Sequence, residues 1–325
     1  MNEDNVPEGD RIYDLYTGVY KPQIIRIALA LDVFTPLNRA PAKAEVVARA
    51  CKCDVAGIRH LLNYLASLNL LVKDADEYSL TPEAASFLVR GGKAYTGDLI
   101  MNFSGSVPWE SVQETIHNGQ SRNIDLEIHF AQDAWIESYR AARIPSSLEM
   151  WAKAGIIPER FARLRVFDLA CGCAIKSMVL ARKCPNVELA CLDSPAVLEV
   201  ARDLAERWGI TSQVSFLSEN LLTADLGEAQ YDVCLVGQIT HYLTEQQNND
   251  LYQRIYKALF PGGMLLLDVP MTTAQLDEGS SFLSLILWAN SGGRAYSFEE
   301  YREWLIASGF ITVHQLSERL LSAVR

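Results

Sequence analysis

Apolar positions along the chain change their spacing twice. From Tyr13 to Leu37 they include Ile24, Ile27, Ala28 and Leu31, the step of an amphipathic helix that stops before Thr35-Pro36. Two further helices are predicted, Ala42 to Ala50 and Val55 to Leu68. The second follows the capping residue Asp54 and carries the stripe Ile58, Leu61, Leu62 and Leu65. A short run at Leu70 to Val72, a polar turn at Lys73 to Glu77 and Tyr78 to Leu80 then predict a β-wing, before Thr81-Pro82 restarts a helix. Three helices and a wing make a winged-helix-like domain over residues 1–97. Residues 98–162 form a helical connector rich in large side chains: Trp109, His129, Phe130, Trp135, Tyr139, Met150 and Trp151. Such aromatics at a domain boundary suit either a well-packed connector or the wall of a small-molecule pocket.

From 163 to 325 the pattern becomes short apolar runs alternating with amphipathic helices. The runs are Arg165 to Leu169, Val187 to Leu192, Val214 to Leu217, Val233 to Gly237 and Met264 to Val269. Apolar runs alternating with helices predict βαβ units around a parallel sheet. The fold class is therefore α/β, a Rossmann-like sheet behind a winged-helix domain, with ligands at the carboxyl ends of the strands.

Charge and composition narrow the partners. The formal net charge of the 325 residues is -11, and 49% are hydrophobic, enough for two cores. A winged helix raises the question of DNA, but the third helix offers only Arg59 and His60 to a groove. Nucleic acid and anionic membrane are thus not expected partners. The acidic segment Met1 to Asp10 is the reverse of a signal peptide, and no apolar run approaches the roughly 18 residues of a spanning helix, so a cytoplasmic protein is expected. The seven cysteines are odd in number and mostly sit in apolar runs. Cys51-Lys52-Cys53 and Cys171-Gly172-Cys173 have no neighbouring cluster to complete a zinc site, and no metal is expected.

The chemistry collects at the predicted strand ends. The first strand runs through Asp168 into Leu169-Ala170-Cys171-Gly172-Cys173-Ala174 and then a helix, where small residues let main chain approach a ligand. The second ends at Leu192-Asp193, where a carboxylate can accept both hydroxyl protons of a ribose, and Ser194-Pro195 open the next helix. The third ends at Ser218-Glu219-Asn220-Leu221, a hydrogen-bonding side chain beside apolar ones, suited to an adenine. Neither G-x-x-x-x-G-K-[ST] nor G-x-G-x-x-G is present, so phosphate binding is not implied. The fourth strand is followed by His241, an imidazole able to take a proton near neutral pH.

Val166-Phe167-Asp168-Leu169-Ala170-Cys171-Gly172, Leu192-Asp193 with Ser194 to Leu198, Ile239 to Leu243, and Leu259-Phe260-Pro261-Gly262-Gly263 carry a resemblance that spans nearly the whole chain. On these residues the sequence resembles the small-molecule S-adenosylmethionine-dependent O-methyltransferases with a winged-helix dimerisation domain, of the acetylserotonin, caffeate and bacterial natural-product types. The resemblance implies a homodimer, S-adenosylmethionine as cofactor and S-adenosylhomocysteine as product. It puts Gly172 and its neighbours beside the methionine part, Asp193 at the ribose and Asn220 with Leu221 at the adenine, with Asp168, Ala170, Ser194 and Gln238 also among the cofactor-binding residues.

It also implies His241 as general base toward a small aromatic or polyketide-like hydroxyl compound. Asp268 is the remaining acid to orient that base, since Ala295 stands where plant relatives carry glutamate. Trp109, Phe130, Tyr139, Arg143 and Trp288 would surround the substrate. Arg143 replaces a substrate-packing methionine and suggests an anionic group, or else faces outward. Two departures stand out in the turn, where the family reads D-x-G-x-G-x-G: Ala170 and Ala174 replace two glycines. A few relatives bind the cofactor but hydroxylate, decarboxylate or rearrange their substrate, and this stands as the alternative.

Overall fold

The computed structural model describes residues 10–92, 95–103, 109–121, 130, 131, 134, 137, 143–272 and 277–325. The chain divides into two compact units, residues 1–105 and 106–325.

In the first unit, helices α1 (Asp10–Thr17), α2 (Tyr20–Ala30), α3 (Phe34–Leu37), α4 (Ala44–Cys51), α5 (Val55–Ser67), α6 (Pro82–Phe87) and α7 (Gly97–Phe103) accompany a three-stranded sheet. Its strands β1 (Ala42–Lys43), β2 (Leu71–Asp74) and β3 (Glu77–Leu80) are all antiparallel, in the order β1-β3-β2. The wing is thus β2 and β3, with one strand more than the apolar pattern predicts. Asp54 caps α5 by accepting from Gly57 N at 2.9 Å, and Thr81 caps α6 by accepting from Ala84 N at 3.3 Å. The stripe on α5 does what its spacing predicts: Ile58, Leu62 and Leu65 are buried with Phe34, Val47 and Tyr78. Arg59 is ion-paired to Glu45, so the helix that would read DNA carries a neutralised cation. Ile12, Leu15 and Tyr16 of α1 are 66–70% exposed, an apolar row that the described residues of this unit leave uncovered.

In the second unit, α8 (Trp109–Asn118) and α9 (Arg143–Lys153) precede a seven-stranded sheet. Its strands are β4 (Leu164–Leu169), β5 (Val187–Asp193), β6 (Val214–Ser218), β7 (Tyr231–Gly237), β8 (Leu259–Asp268), β11 (Thr312–Gln315) and β12 (Leu320–Val324), in the order β11-β12-β8-β7-β4-β5-β6. A two-stranded parallel pair, β9 (Met271–Thr272) and β10 (Tyr296–Ser297), stands apart. The helices are α10 (Ile175–Lys183), α11 (Pro195–Trp208), α12 (Glu245–Ala258), α13 (Glu278–Ser291) and α14 (Phe298–Ala307).

The five predicted strands are all present, and they are mutually parallel. Each face of the sheet is covered, so both residue parities are apolar. Val166, Val233 and Leu235 pack on one side with Met178 and Leu204; Phe167, Cys234 and Val236 pack on the other with Tyr252 and Ile255. The antiparallel pair β11 and β12 went unread in the sequence because β11 is a polar edge strand, with Thr312, His314 and Gln315 exposed. Chain order reverses between β4 and β7, which opens a crevice at their carboxyl ends.

Candidate active site

The turn from β4 into α10 keeps a glycine-like backbone although two of its residues are alanine. Ala170, Gly172 and Ala174 have φ of +52°, +58° and +54°. An L-residue in this region is disfavoured by about 1–2 kcal/mol, so the surrounding bonds must enforce it. Cys171 N donates to Leu192 O at 3.1 Å, Ala174 N to Cys171 O at 2.8 Å, and Gly172 N to a carboxylate oxygen of Asp193 at 2.9 Å. Among the described residues, a Cβ added to Gly172 would meet no atom within 4 Å. The turn therefore presents main chain to open space.

Asp168 lies beneath this turn, not in it. Its side chain is buried and accepts from Ser177 Oγ at 2.5 Å. Burial pushes its carboxyl up to about 7, against the pull of the Ser177 hydroxyl and the Lys176 charge. Asp193 ends β5 with both oxygens anchored, Oδ2 by Gly172 N and Oδ1 by Ser194 N at 2.8 Å. A carboxylate offers about four acceptor positions, so this fixed group remains suited to a vicinal diol. Beside it, Ser194 Oγ is buried with no hydrogen-bond partner among the described residues. Asn220 is exposed after β6, its Oδ1 accepting from Leu222 N at 2.8 Å, and Leu221 follows half-buried.

Across the crevice, Gln238 follows β7 with φ of +59°, and its main-chain N and side-chain Nε2 both donate to Asp268 O at 2.9 Å. His241 sits in a single 3-10 turn, Thr240–Tyr242, and is 4% exposed. That turn is clamped from α12, whose buried Asn248 donates through Nδ2 to Thr240 O, Leu243 O and Thr244 O at 3.0, 3.3 and 3.1 Å. Tyr296 adds a hydroxyl bond to Leu243 O at 2.7 Å, and Thr240 Oγ1 meets the Tyr301 hydroxyl at 3.1 Å. Gly293 packs directly on the turn: a Cβ there would lie 2.2 Å from His241 O. Desolvation, aided by Arg319 and Lys176 and opposed by Asp268, drives the His241 imidazole down to about 4. Its Nδ1 is buried without a partner among the described residues.

Asp268, expected to orient that imidazole, points its carboxylate elsewhere. Its Oδ2 lies 2.6 Å from Lys176 Nζ. Ala295 is buried, its N donating to Ser284 Oγ at 3.3 Å. Of the expected substrate wall, Phe130 stands edge-on to Tyr242 at 5.3 Å, and the Tyr242 ring is 4.7 Å from that of His241. Trp109 is 55% exposed and leans on Phe282 of α13, the helix that carries half-buried Trp288. Arg143 is ion-paired to Glu137, which answers its charge within the protein. Tyr139, His129 and Trp135 lie outside the described residues.

Sequence reading missed Lys176, Ser177, Asn248 and Gly293. One of these left a signal: a lysine in the first turn of a helix opposes the helix dipole.

Fold, turn and strand-end acid together define a class I methyltransferase-type domain, and an S-adenosyl group fits it. The main chain at Gly172, open among the described residues, the anchored Asp193 and the Ser194 hydroxyl, without a partner among the described residues, lie together at the ends of β4 and β5. Comparison with known proteins agrees. Residues 13–90 match the O-methyltransferase dimerisation domain and residues 166–263 a methyltransferase domain. The chain belongs to the small-molecule S-adenosylmethionine-dependent O-methyltransferase family that carries a dimerisation domain.

It is 26% identical to acetylserotonin O-methyltransferase of Mus musculus, over 92% of this chain and 83% of that protein. With the tetracenomycin polyketide synthesis 8-O-methyl transferase of Streptomyces glaucescens it shares 27% identity, over 93% and 91%. Human N-acetylserotonin methyltransferase, solved in complex with SAM, superposes with a TM-score of 0.80 at 16% identity, covering 100% of this chain and 99% of that one. Among the described residues no helix is long and apolar enough to cross a membrane.

Proposed function

We propose that this enzyme methylates a hydroxyl group of a small aromatic or polyketide-like metabolite, with His241 as general base. The carrying observation is the placement of His241: in the turn that follows β7, clamped by Asn248, at the same end of the sheet as the turn at Gly172. Asp193 would hold the ribose hydroxyls, Asn220 and Leu221 the adenine, and the main chain at Gly172 the adjoining sulfur arm. When bound, the cofactor supplies an already activated methyl group, so the protein's task is alignment and proton removal. At neutral pH an imidazole titrating near 4 is uncharged and in the accepting form. Phe130 and Tyr242 supply an apolar, aromatic wall beside it, matching a flat substrate. The exposed apolar row on α1, within residues matched to the dimerisation domain, supports a homodimer.

The test uses a labelled methyl donor with a panel of phenolic acceptors, read by mass spectrometry. Transfer to oxygen is expected, and His241→Asn should lower kcat by about 100- to 10,000-fold, the range for losing a general base. Cofactor affinity should stay within about threefold, well under the ~1.4 kcal/mol that a tenfold change represents. Substrate turnover without label in the product would instead establish a non-methylating reaction.

A further inference from the structure

Lys176 is second in α10, where a cation is disfavoured by the helix dipole. Helix formation therefore does not explain it. Its ammonium lies 2.6 Å from Asp268 Oδ2, and the two side chains retain only 24% and 19% of their exposure. Such a pair carries a desolvation penalty that its mutual attraction has to offset. The surrounding structure is shaped to keep it. The lysine stem crosses the end of β7 over Gly237, where a Cβ would stand 2.8 Å from Nζ, so no larger residue fits without displacing the ammonium. Trp151 Nε1 donates to Lys176 O at 2.6 Å, and Gln238 holds the Asp268 carbonyl twice from its left-handed conformation.

The pair's position in the sheet gives it a purpose. In the order β8-β7-β4-β5, Gly237 on β7 lies two strands, about 10 Å, from Asp193 on β5. The open turn at Gly172 lies between them. A nucleoside held by its ribose at Asp193 and running over Gly172 delivers whatever its sulfur carries to the Lys176–Asp268 pair. In the cofactor that group is an α-amino acid, a zwitterion.

We propose that Lys176 and Asp268 form the receptor for this zwitterion, the ammonium of Lys176 taking the cofactor's carboxylate and the carboxylate of Asp268 its ammonium. The inference rests on the cofactor occupying the turn as set out above. Binding exchanges one ion pair within the protein for two across the interface, with no change in net charge. In the absence of cofactor each group neutralises the other, so neither charge is left buried alone.

Calorimetric titration of the full-length protein tests this with S-adenosylhomocysteine, which has the amino-acid arm, and 5′-methylthioadenosine, which lacks it. Lys176→Met should weaken S-adenosylhomocysteine by about 10- to 100-fold, the range for losing one charge-assisted hydrogen bond. Methylthioadenosine should be unaffected, and its retention shows that the variant is folded. Lys176→Arg, which keeps the charge, should recover most of the lost affinity. Unchanged S-adenosylhomocysteine binding in Lys176→Met, or an equal loss of both ligands, would overturn the zwitterion receptor. A wild-type protein that binds neither nucleoside would overturn the cofactor assignment itself, and the receptor with it.

Discussion

Restoring glycine at Ala170 and at Ala174 should give opposite lessons from the same substitution. Both alanines hold a left-handed backbone, φ +52° and +54°. Relief of that conformation is worth about 1–2 kcal/mol, from which the greater freedom of glycine in the unfolded chain removes about 0.5–1 kcal/mol. Ala170 is partly exposed, so nothing else is lost and Ala170→Gly should stabilise by roughly 0.5–1 kcal/mol. Ala174 is fully buried in the core beside Met178 and Val179. Removing its methyl forfeits about 0.8 kcal/mol of burial plus a small cavity term, which cancels the gain.

Equilibrium urea unfolding of both variants, at equal m-value, reads the difference directly. In a thermal scan alongside it, a chain of this size should show Tm rising by about 2 °C for Ala170→Gly and not moving for Ala174→Gly. If Ala170→Gly destabilised the protein, the left-handed turn would be wrong. If Ala174→Gly stabilised it as much as Ala170→Gly, its methyl would not be packed as described.

Two further outcomes follow from burial and close contact. His241 titrates near 4 when folded against 6.5 when free, so its contribution is present above pH 6.5 and lost as pH falls toward 4, by about 3 kcal/mol. Asp168, raised from 3.8 to about 7, works the other way: its neutral form is favoured, and stability is lost as pH rises from 3.8 to 7. Asp168→Asn should therefore stabilise at pH 8 by a few kcal/mol and do nothing at pH 3, while His241→Asn should flatten the stability profile between pH 6.5 and 4, both measured by denaturant titration. Gly293→Ala places a methyl 2.2 Å from His241 O, so the turn must move. A loss of about 1–3 kcal/mol by denaturation, with kcat falling more than cofactor affinity, is expected; unaltered kcat would show that the histidine turn does not depend on this contact.

Much of the site was legible because its signals are local. Asp193 ends a run of apolar residues, His241 follows another, and Asp54 and Thr81 stand where helix caps belong; each needs only its neighbours in sequence to be read. The substitutions at Ala170 and Ala174 were legible as departures, but not their consequence. Whether alanine there changes the turn depends on the bonds to Leu192 and Asp193, which come from the next strand. Asp268 shows the same limit, since its partner proved to be Lys176 and not His241.

The sequence by itself determined the parallel sheet and the acids and imidazole at its edge, because periodicity records which faces are buried and strand ends record where side chains emerge. Only the tertiary structure decided the sign of φ in the turn between β4 and α10, the depressed basicity of His241 and the Lys176–Asp268 pair. These depend on distance, desolvation and main-chain contacts between segments far apart in the chain, and no local pattern encodes them.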